Sequence, residues 1–428
     1  MAEYHDRERF IPFQKSEIIK LLGNEIGTNS NDCENFKNMC KILESIYHFE
    51  FHKKTEYLKE NYYPLNPDKD TLTTKKYSIE EIKACEENFM NTFREILTNA
   101  NYEEVSEEDI AYAMEKESLF KINLFVDFDD FENQVIFRRG LKNEKLNFKK
   151  WFVKKQEIDV PVFERLALLI KFKDAEYFKA KKRKDLKFEP GTMIVKLFKN
   201  IPKADMEMLF PNTQIKMRPR DILLMGGSAL GGGAAVILKA GAGLIAMFTV
   251  LWFMTRSFVM TGGELPSLGP AEISGMVGGV SALFAISLFL VKQWNNYKNR
   301  KIKFMKLLGD NLYFKNMDNN SGVFYHIIDD AEEEECKEAI LGYYFLYCSE
   351  SGLTESQLDD KIEQWFENKH DTLIDFEIKD ALQKLQKLEL CTTAEQNESG
   401  EDILKAVSLD EACRKLDYMW DNYFQFNF

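Results

Sequence analysis

Ile222–Met254 reads ILLMGGSALGGGAAVILKAGAGLIAMFTVLWFM, and Ile273–Val291 reads ISGMVGGVSALFAISLFLV. Lys239 is the single charge in the first stretch, and the second has none. A bilayer core takes about 20 apolar residues to cross as a helix. The first stretch exceeds that length and the second just meets it. They predict a hairpin of two transmembrane helices, 221–258 and 272–292, with a short loop at 259–271.

Thirteen of the 22 glycines fall between Gly226 and Gly279. Gly227 and Gly231 are four apart, as are Gly275 and Gly279. Helices in lipid gain little from burying apolar surface, so small residues that admit close backbone approach supply the packing. The two arms can close on each other or on a second copy, which leaves a homo-oligomer open. A lysine at the bilayer centre costs about 2.5–3.5 kcal/mol on insertion scales. Lys239 therefore either snorkels to the interface or serves a purpose, holding an anion or a lipid head group or lining a polar path. A phosphate-loop reading of GGSALGGGAAVILK fails, because no G-K-[ST] ending and no preceding strand is present.

The flanks set the orientation. Lys216, Arg218 and Arg220 precede the hairpin, and Lys292, Lys298, Arg300, Lys301, Lys303 and Lys306 follow it. The connecting loop and the helix ends beside it hold Arg256 against Glu264 and Glu272. Basic flanks stay on the cytoplasmic side, or in the matrix of an organelle, so both soluble parts are expected there.

Charge is segregated along the chain. Residues 1–137 carry a net −13, 138–220 a net +13, 221–328 a net +4 and 329–428 a net −17. The basic part borders the hairpin and is expected to meet anionic membrane lipids, each well-placed cation adding about 1 kcal/mol. Its densest run, KAKKRKDLK, supplies Lys181, Lys182, Arg183 and Lys184 as a lipid-facing patch. Nucleic acid is disfavoured as a partner of this part, which lacks interleaved aromatics in a known motif.

Residues 1–117 show helical spacing at Phe36, Met39, Cys40, Leu43, Ile46 and Tyr47, and again at Ile82, Phe89, Phe93, Ile96 and Leu97. Ser78 with Glu81 forms a capping box, and NYYPLNPDKD is a loop. A short helix is expected over Ser106–Lys116. Residues 118–220 form a basic α+β domain. SLFKINLFVDF, QVIFRRG, FERLALLIKFKD and TMIVKLFKN read as strands, and IPKADMEML as a short helix with Pro202 at its start. Residues 293–328 read as a basic juxtamembrane helix, then two short strands around Asn316–Gly322. Residues 329–428 give three helices, capped by Thr354 at the second and Asp375 at the third, then a two-stranded ribbon and a final helix. That order is winged-helix-like. At −17 the module should be repelled by phosphate and is expected to bind an unknown protein partner.

Catalytic and metal motifs are absent. HFEFH places His48 and His52 four apart, but Glu50 lies between them where H-E-x-x-H needs it beside the first histidine. Seven dispersed cysteines without C-x-x-C spacing read as reduced thiols. No nucleophile elbow, kinase set or dinucleotide fingerprint occurs. No metal or cofactor is expected, and an enzyme with an unrecognised site is the weaker alternative.

RERFIPFQKSEI, the YYPLNPD loop, FRRG, PVFERLALLIKFKD, VKLFKNIPKADMEMLFPNTQIKM, LYFKNMDNNSGV and FEIKDALQKLQKLEL together resemble the transmembrane protein 143-like family, whose function is unknown. The resemblance runs over nearly the whole chain, and NIPKADMEMLFP is its most specific piece. It implies a two-span membrane protein and supplies no catalytic residue; the animal members are mitochondrial. The expected protein is membrane-anchored and α+β, with an N-terminal helical region, a basic α+β domain, a transmembrane hairpin and a winged-helix-like end. It is expected to be multi-pass in a bacterial inner membrane, or else the mitochondrial inner membrane. Its expected role is interaction or scaffolding; an oligomeric pore or lipid- or ion-handling protein built on the hairpin and Lys239 is the alternative.

Overall fold

The computed structural model describes residues 7–27, 31–106, 110, 123–149, 155–183, 186–216, 241–260, 262, 267–396 and 400–424. In chain order its helices are α1 (Lys15–Ile26), α2 (Asn31–Tyr62), α3 (Ile79–Asn99), α4 (Ala175–Ala180), α5 (Gly241–Met260), α6 (Pro270–Lys315), α7 (Ser321–Tyr347), α8 (Glu355–His370), α9 (Ile378–Lys387) and α10 (Leu409–Asp421). Its strands are β1 (Glu103–Glu104), β2 (Asn123–Phe125), β3 (Phe131–Lys149), β4 (Lys155–Phe172), β5 (Met193–Pro202), β6 (Gln214–Lys216), β7 (Asn316–Asn319), β8 (Cys391–Gln396) and β9 (Asp402–Ala406). The chain divides into two units. One holds Met1–Ala111, Phe128–Lys203 and Lys315–Phe428; the other holds Tyr112–Asp127 and Ala204–Phe314.

The first unit contains a five-stranded antiparallel sheet in the order β1-β3-β4-β5-β7. FERLALLIKF is a strand, part of the 18-residue β4. Leu166, Leu168 and Ile170 are buried as fully as Ala167 and Leu169, so both faces of β4 are covered and the run reads as continuously apolar. One face, through Val135, Phe137, Leu169, Val195 and Leu197, joins the helical core. At the far end of the other, Phe188 stacks on Phe172 at 3.9 Å and meets Phe178 of α4 edge-on.

That core is continuous from Ile11 and Ile18 through Phe36 and Phe89 to Tyr343, Phe366 and Leu416. The N-terminal helices and the C-terminal helices therefore share one core with the sheet, where the sequence suggested separate parts at 1–117, 118–220 and 329–428. Periodicity shows that a helix has an apolar stripe; it does not say which element covers that stripe. α7 is the hub, buried along most of its length and packed on α1, α2, α3, α8 and α9. It starts at Ser321, so only Asn316–Asn319 of the expected strand pair is extended. Val323, Phe324, Ile327 and Ile328 are good strand formers but recur with Ala331 at helical spacing, and all five are buried.

Local signals at the caps hold with one exception. Ser78 and Glu81 form the reciprocal box at the start of α3, at 3.2 and 2.8 Å. Thr354 and Gln357 do the same for α8. Asp375 does not cap α9, which begins three residues later after Glu377. Its backbone N–H instead donates to the Glu8 carbonyl at 3.0 Å. Of the expected Ser106–Lys116 helix only Ser106 and Ile110 are described, the Ile110 N–H donating to the Ser106 carbonyl at 3.1 Å; the rest lies outside the described residues.

In the second unit, α5 and α6 are both long and apolar enough to cross a membrane, over Gly241–Met260 and Pro270–Asn296. Only 6% and 11% of their most apolar windows are buried. Ile245, Phe248, Trp252, Val277, Phe284 and Leu290 are all more than half exposed. α6 continues without a break through the basic stretch to Lys315, as a run free of proline permits. A short pair, β2 with β6, completes the unit.

Topology ties the two ends of this insertion together. The chain leaves the sheet at the end of β5 and comes back as β7, which pairs with β5 itself, Lys196 opposite Asn319 and Leu197 opposite Asp318. The whole apolar hairpin is thus inserted between two hydrogen-bonded neighbours of one sheet.

Candidate functional site

The N-terminal segment Arg7–Phe13 is a strap across the first unit. Glu8 pairs in parallel with Ile374, and its carboxylate accepts from the Leu141 N–H of β3 at 2.8 Å. Arg7 binds Glu363, Arg9 binds Glu377 at 3.0 Å, and Phe13 packs on Phe366 at 5.5 Å. This is the role of the RERFIPF motif: it holds the start of the chain against α8 and the segment before α9.

Beneath the strap lies a buried charge network centred on α7. Ile11 donates its N–H to Glu334 at 2.9 Å, and Lys337 donates to the Ile11 carbonyl and to Glu334, both at 3.0 Å. One turn on, Glu338 accepts from Asn101 at 2.9 Å and from Lys384 of α9. Lys384 also reaches Glu335 and Asp380, each at 2.9 Å. Burial raises the Glu338 carboxyl to about 7, against the pull of Lys384 and Asn101. Lys384 is held well above the usual lysine range by the carboxylates around it, which outweigh its burial. Paired buried charges of this kind specify which helices meet more than they add stability.

Beside the strap, α8, α9 and β9 enclose a groove of about 980 Å³. Asp359, Glu363, Asp375, Glu377 and Asp402 line it, with Arg9 at its edge. Burial pushes Asp359 up to about 7, and neighbouring Glu363, Asp360, Asp375 and Glu355 push the same way. Burial also raises Glu363 and Glu377, against Arg7 and Arg9 respectively. The wall on the β9 side depends on Gly352. Its φ of +77° suits glycine, and a Cβ there would fall 2.6 Å from Ile403 and 2.8 Å from the Leu404 carbonyl. That close approach lets Leu353 exchange backbone hydrogen bonds with Leu404 at 3.0 and 2.8 Å. The groove carries a strong negative field and can accept a cationic side chain; its acids are dispersed, and among the described residues no three His, Cys, Asp or Glu side chains converge as a metal would require.

The residues singled out from sequence fall into three groups. Gly227, Gly231, Lys239 and Lys184 lie outside the described residues. Gly275 and Gly279 sit where α6 meets α5. A Cβ at Gly275 would touch Ala246 and Val250 at 3.5 Å, and one at Gly279 would fall 2.3 Å from the Met247 Cβ. Of the basic patch, Arg183 turns onto Asp130, which is 0% exposed. Lys181 lies 3.9 Å from Asp129 and Asp130 and over the Tyr177 ring. Lys182, at a left-handed turn, is exposed. His48 pairs with Glu332 at 3.0 Å, while His52 lies against Phe49.

Sequence reasoning missed the strap, the Glu334–Glu338–Lys384 network and the groove. The signal for the network was present: Ile327, Ala331, Glu334, Glu338 and Leu341 follow one another at alternating steps of four and three, which puts both acids on the apolar stripe of the helix.

These features define an α+β protein with two exposed apolar helices inserted into its sheet. Residues 163–322 carry a domain matching the family model described as protein of unknown function (DUF3754). The match runs from within β4 through the hairpin to the start of α7, so it covers the insertion and the strands on both sides of it. It gives no link to the transmembrane protein 143-like proteins, and that wider resemblance rests on the quoted motifs alone. No solved structure matches the chain.

Proposed function

We propose that this chain is an integral membrane protein that acts as an interaction scaffold. The hairpin α5–α6 spans the bilayer, and both soluble parts lie on one side, cytoplasmic or matrix. The observation that carries this reading is the insertion of two exposed apolar helices between the paired strands β5 and β7. A core helix of a soluble protein would bury its apolar residues, and these do not. One sheet cannot be divided across a membrane, so an even number of spans must return the chain to its starting side.

The C-terminal helices are read as a winged-helix-like module. The order α7, a short extended segment at Leu353, α8, α9, β8 and β9 supports this, with Leu353 bridging to β9. Its acidic groove favours a basic segment of a partner protein over nucleic acid, since like charge repels phosphate. Gly275 and Gly279 are occupied by α5 of the same chain, which favours an anchor over a pore built from glycine faces.

The test is extraction and topology. The expressed chain should stay with membranes through a carbonate wash, and tags at its two termini should be reached from the same side. Recovery in the supernatant, or tags on opposite sides, refutes the anchor. For the groove, Asp359→Lys with Asp402→Lys should abolish capture of a lysine-rich peptide by the solubilised protein; unchanged capture rejects the docking role.

A further inference from the structure

Three cations lie side by side on the core-facing side of the sheet. Register places Arg139 of β3 opposite Arg165 of β4, and Arg165 opposite Lys199 of β5. They stand two residues along their strands from Phe137, Ala167 and Leu197, which face the helical core, so the row shares that face. Like charges directly opposite each other across a sheet are destabilising. A row of three therefore calls for compensating anions.

Arg139 has one. Asp330 of α7 meets it at 3.1 Å and also accepts from the Tyr102 hydroxyl. The Arg139 guanidinium is further flanked by the Phe10 and Tyr102 rings, at 5.3 and 4.9 Å. Arg165 is half-buried and reaches over β5 to the Met317 sulfur of β7. A thioether is a weak acceptor, and a guanidinium carries five donors. Lys199 is exposed. Among the described residues, no carboxylate pairs with Arg165 or with Lys199. Two cations on neighbouring strands are thus left in excess.

We propose that Arg165 and Lys199 form a binding site for a phosphate group, free or as the head group of a lipid. Directly opposite residues hold their Cβ atoms about 4.5–5.5 Å apart, which lets both side chains meet one tetrahedral anion. The planar guanidinium offers parallel N–H donors to two phosphate oxygens, and the ammonium adds a compact charge from the solvent side. A phosphate fits better than a carboxylate, because a third oxygen is left for Lys199 once Arg165 has taken two. Lys199 lies in β5 and Met317 in β7, the two strands that pair around the inserted hairpin. A bound phosphate there braces the ladder that closes the insertion. The free-phosphate form is independent of the membrane reading above; the lipid form rests on it.

The full chain, solubilised in a phosphate-free detergent, is titrated with inorganic phosphate and followed by hydrogen–deuterium exchange. At about ten times its dissociation constant, phosphate should slow exchange at 195–201 about tenfold. Arg165→Gln and Lys199→Gln should each move the midpoint about tenfold or more to higher phosphate, the scale of one charge-assisted hydrogen bond. Lys199 is exposed, so its variant decides the outcome should Arg165→Gln fail to fold. Lys182→Gln, which removes an exposed charge outside the row, should leave the midpoint where it is. The second arm places the chain in phosphatidylcholine nanodiscs with and without phosphatidic acid. Lys199-dependent protection at least as strong with free phosphate assigns a soluble ligand; stronger protection with phosphatidic acid assigns the lipid head group. No protection in either arm, or protection that Lys199→Gln leaves intact, overturns the site. A chain that does not co-migrate with the discs refutes the membrane reading, and the phosphate titration then decides the site alone.

Discussion

Glu338 is 1% exposed, and its charge is met by Lys384 and Asn101. Burial holds its folded carboxyl at about 7, above the ordinary glutamate value of about 4.3. A group that binds its proton more tightly when folded adds stability below the unfolded value and loses it as pH rises through the folded one. The thermal midpoint of the solubilised protein should therefore fall between about pH 5 and pH 8, and Glu338→Gln should flatten part of that slope. Asp359, also raised to about 7, contributes with the same sign. A profile unchanged in the variant would show that Glu338 titrates normally. Lys384→Met should be far worse than Glu338→Gln, by about 3–5 kcal/mol, because it strands Glu335 and Glu338 without a cation. Glycine gives a second test at this scale. A Cβ at Gly243 would fall 2.6 Å from the Gly278 carbonyl, whereas one at Gly241 meets nothing within 4 Å. Gly243→Ala should loosen the α5–α6 contact by about 1–3 kcal/mol and Gly241→Ala should not; thermal stability in detergent separates them.

The elements differ in how far their sequences announce them. α2, α3 and α10 have one covered face, so apolar and polar positions alternate at helical period and their extents are readable. α7 is covered on nearly every side from Glu334 to Leu346, which erases the period there, while strand-forming residues disguise the helical spacing of its first turns. Capping is local chemistry and was legible at Ser78 and Thr354. Thr354→Ala should cost about 1 kcal/mol and shift the unfolding midpoint accordingly. The strap was not legible, because its partners Leu141, Glu363 and Ile374 are remote in sequence. Removing residues 1–13 should speed amide exchange at 371–378, where Asp375 donates to Glu8; exchange unaltered by the truncation would make the strap a passive tail.

At the scale of the molecule, β5 and β7 form one ladder around the hairpin. Replacing 217–314 with a flexible glycine–serine linker should therefore yield a water-soluble protein that unfolds cooperatively, since the core of the first unit is built without that segment. An aggregated or unfolded product would mean that the insertion is structural and not only an anchor. The sequence alone determined the two apolar arms, the helix caps and the segregation of charge, because each is set by neighbours within a few turns of chain. The tertiary structure alone decided that both termini share one core and that Arg183 turns inward onto Asp130. It also decided that Glu335, Glu338 and Lys384 meet out of water. Those outcomes depend on which surfaces cover one another, and burial between residues hundreds of positions apart leaves no periodic trace in the chain.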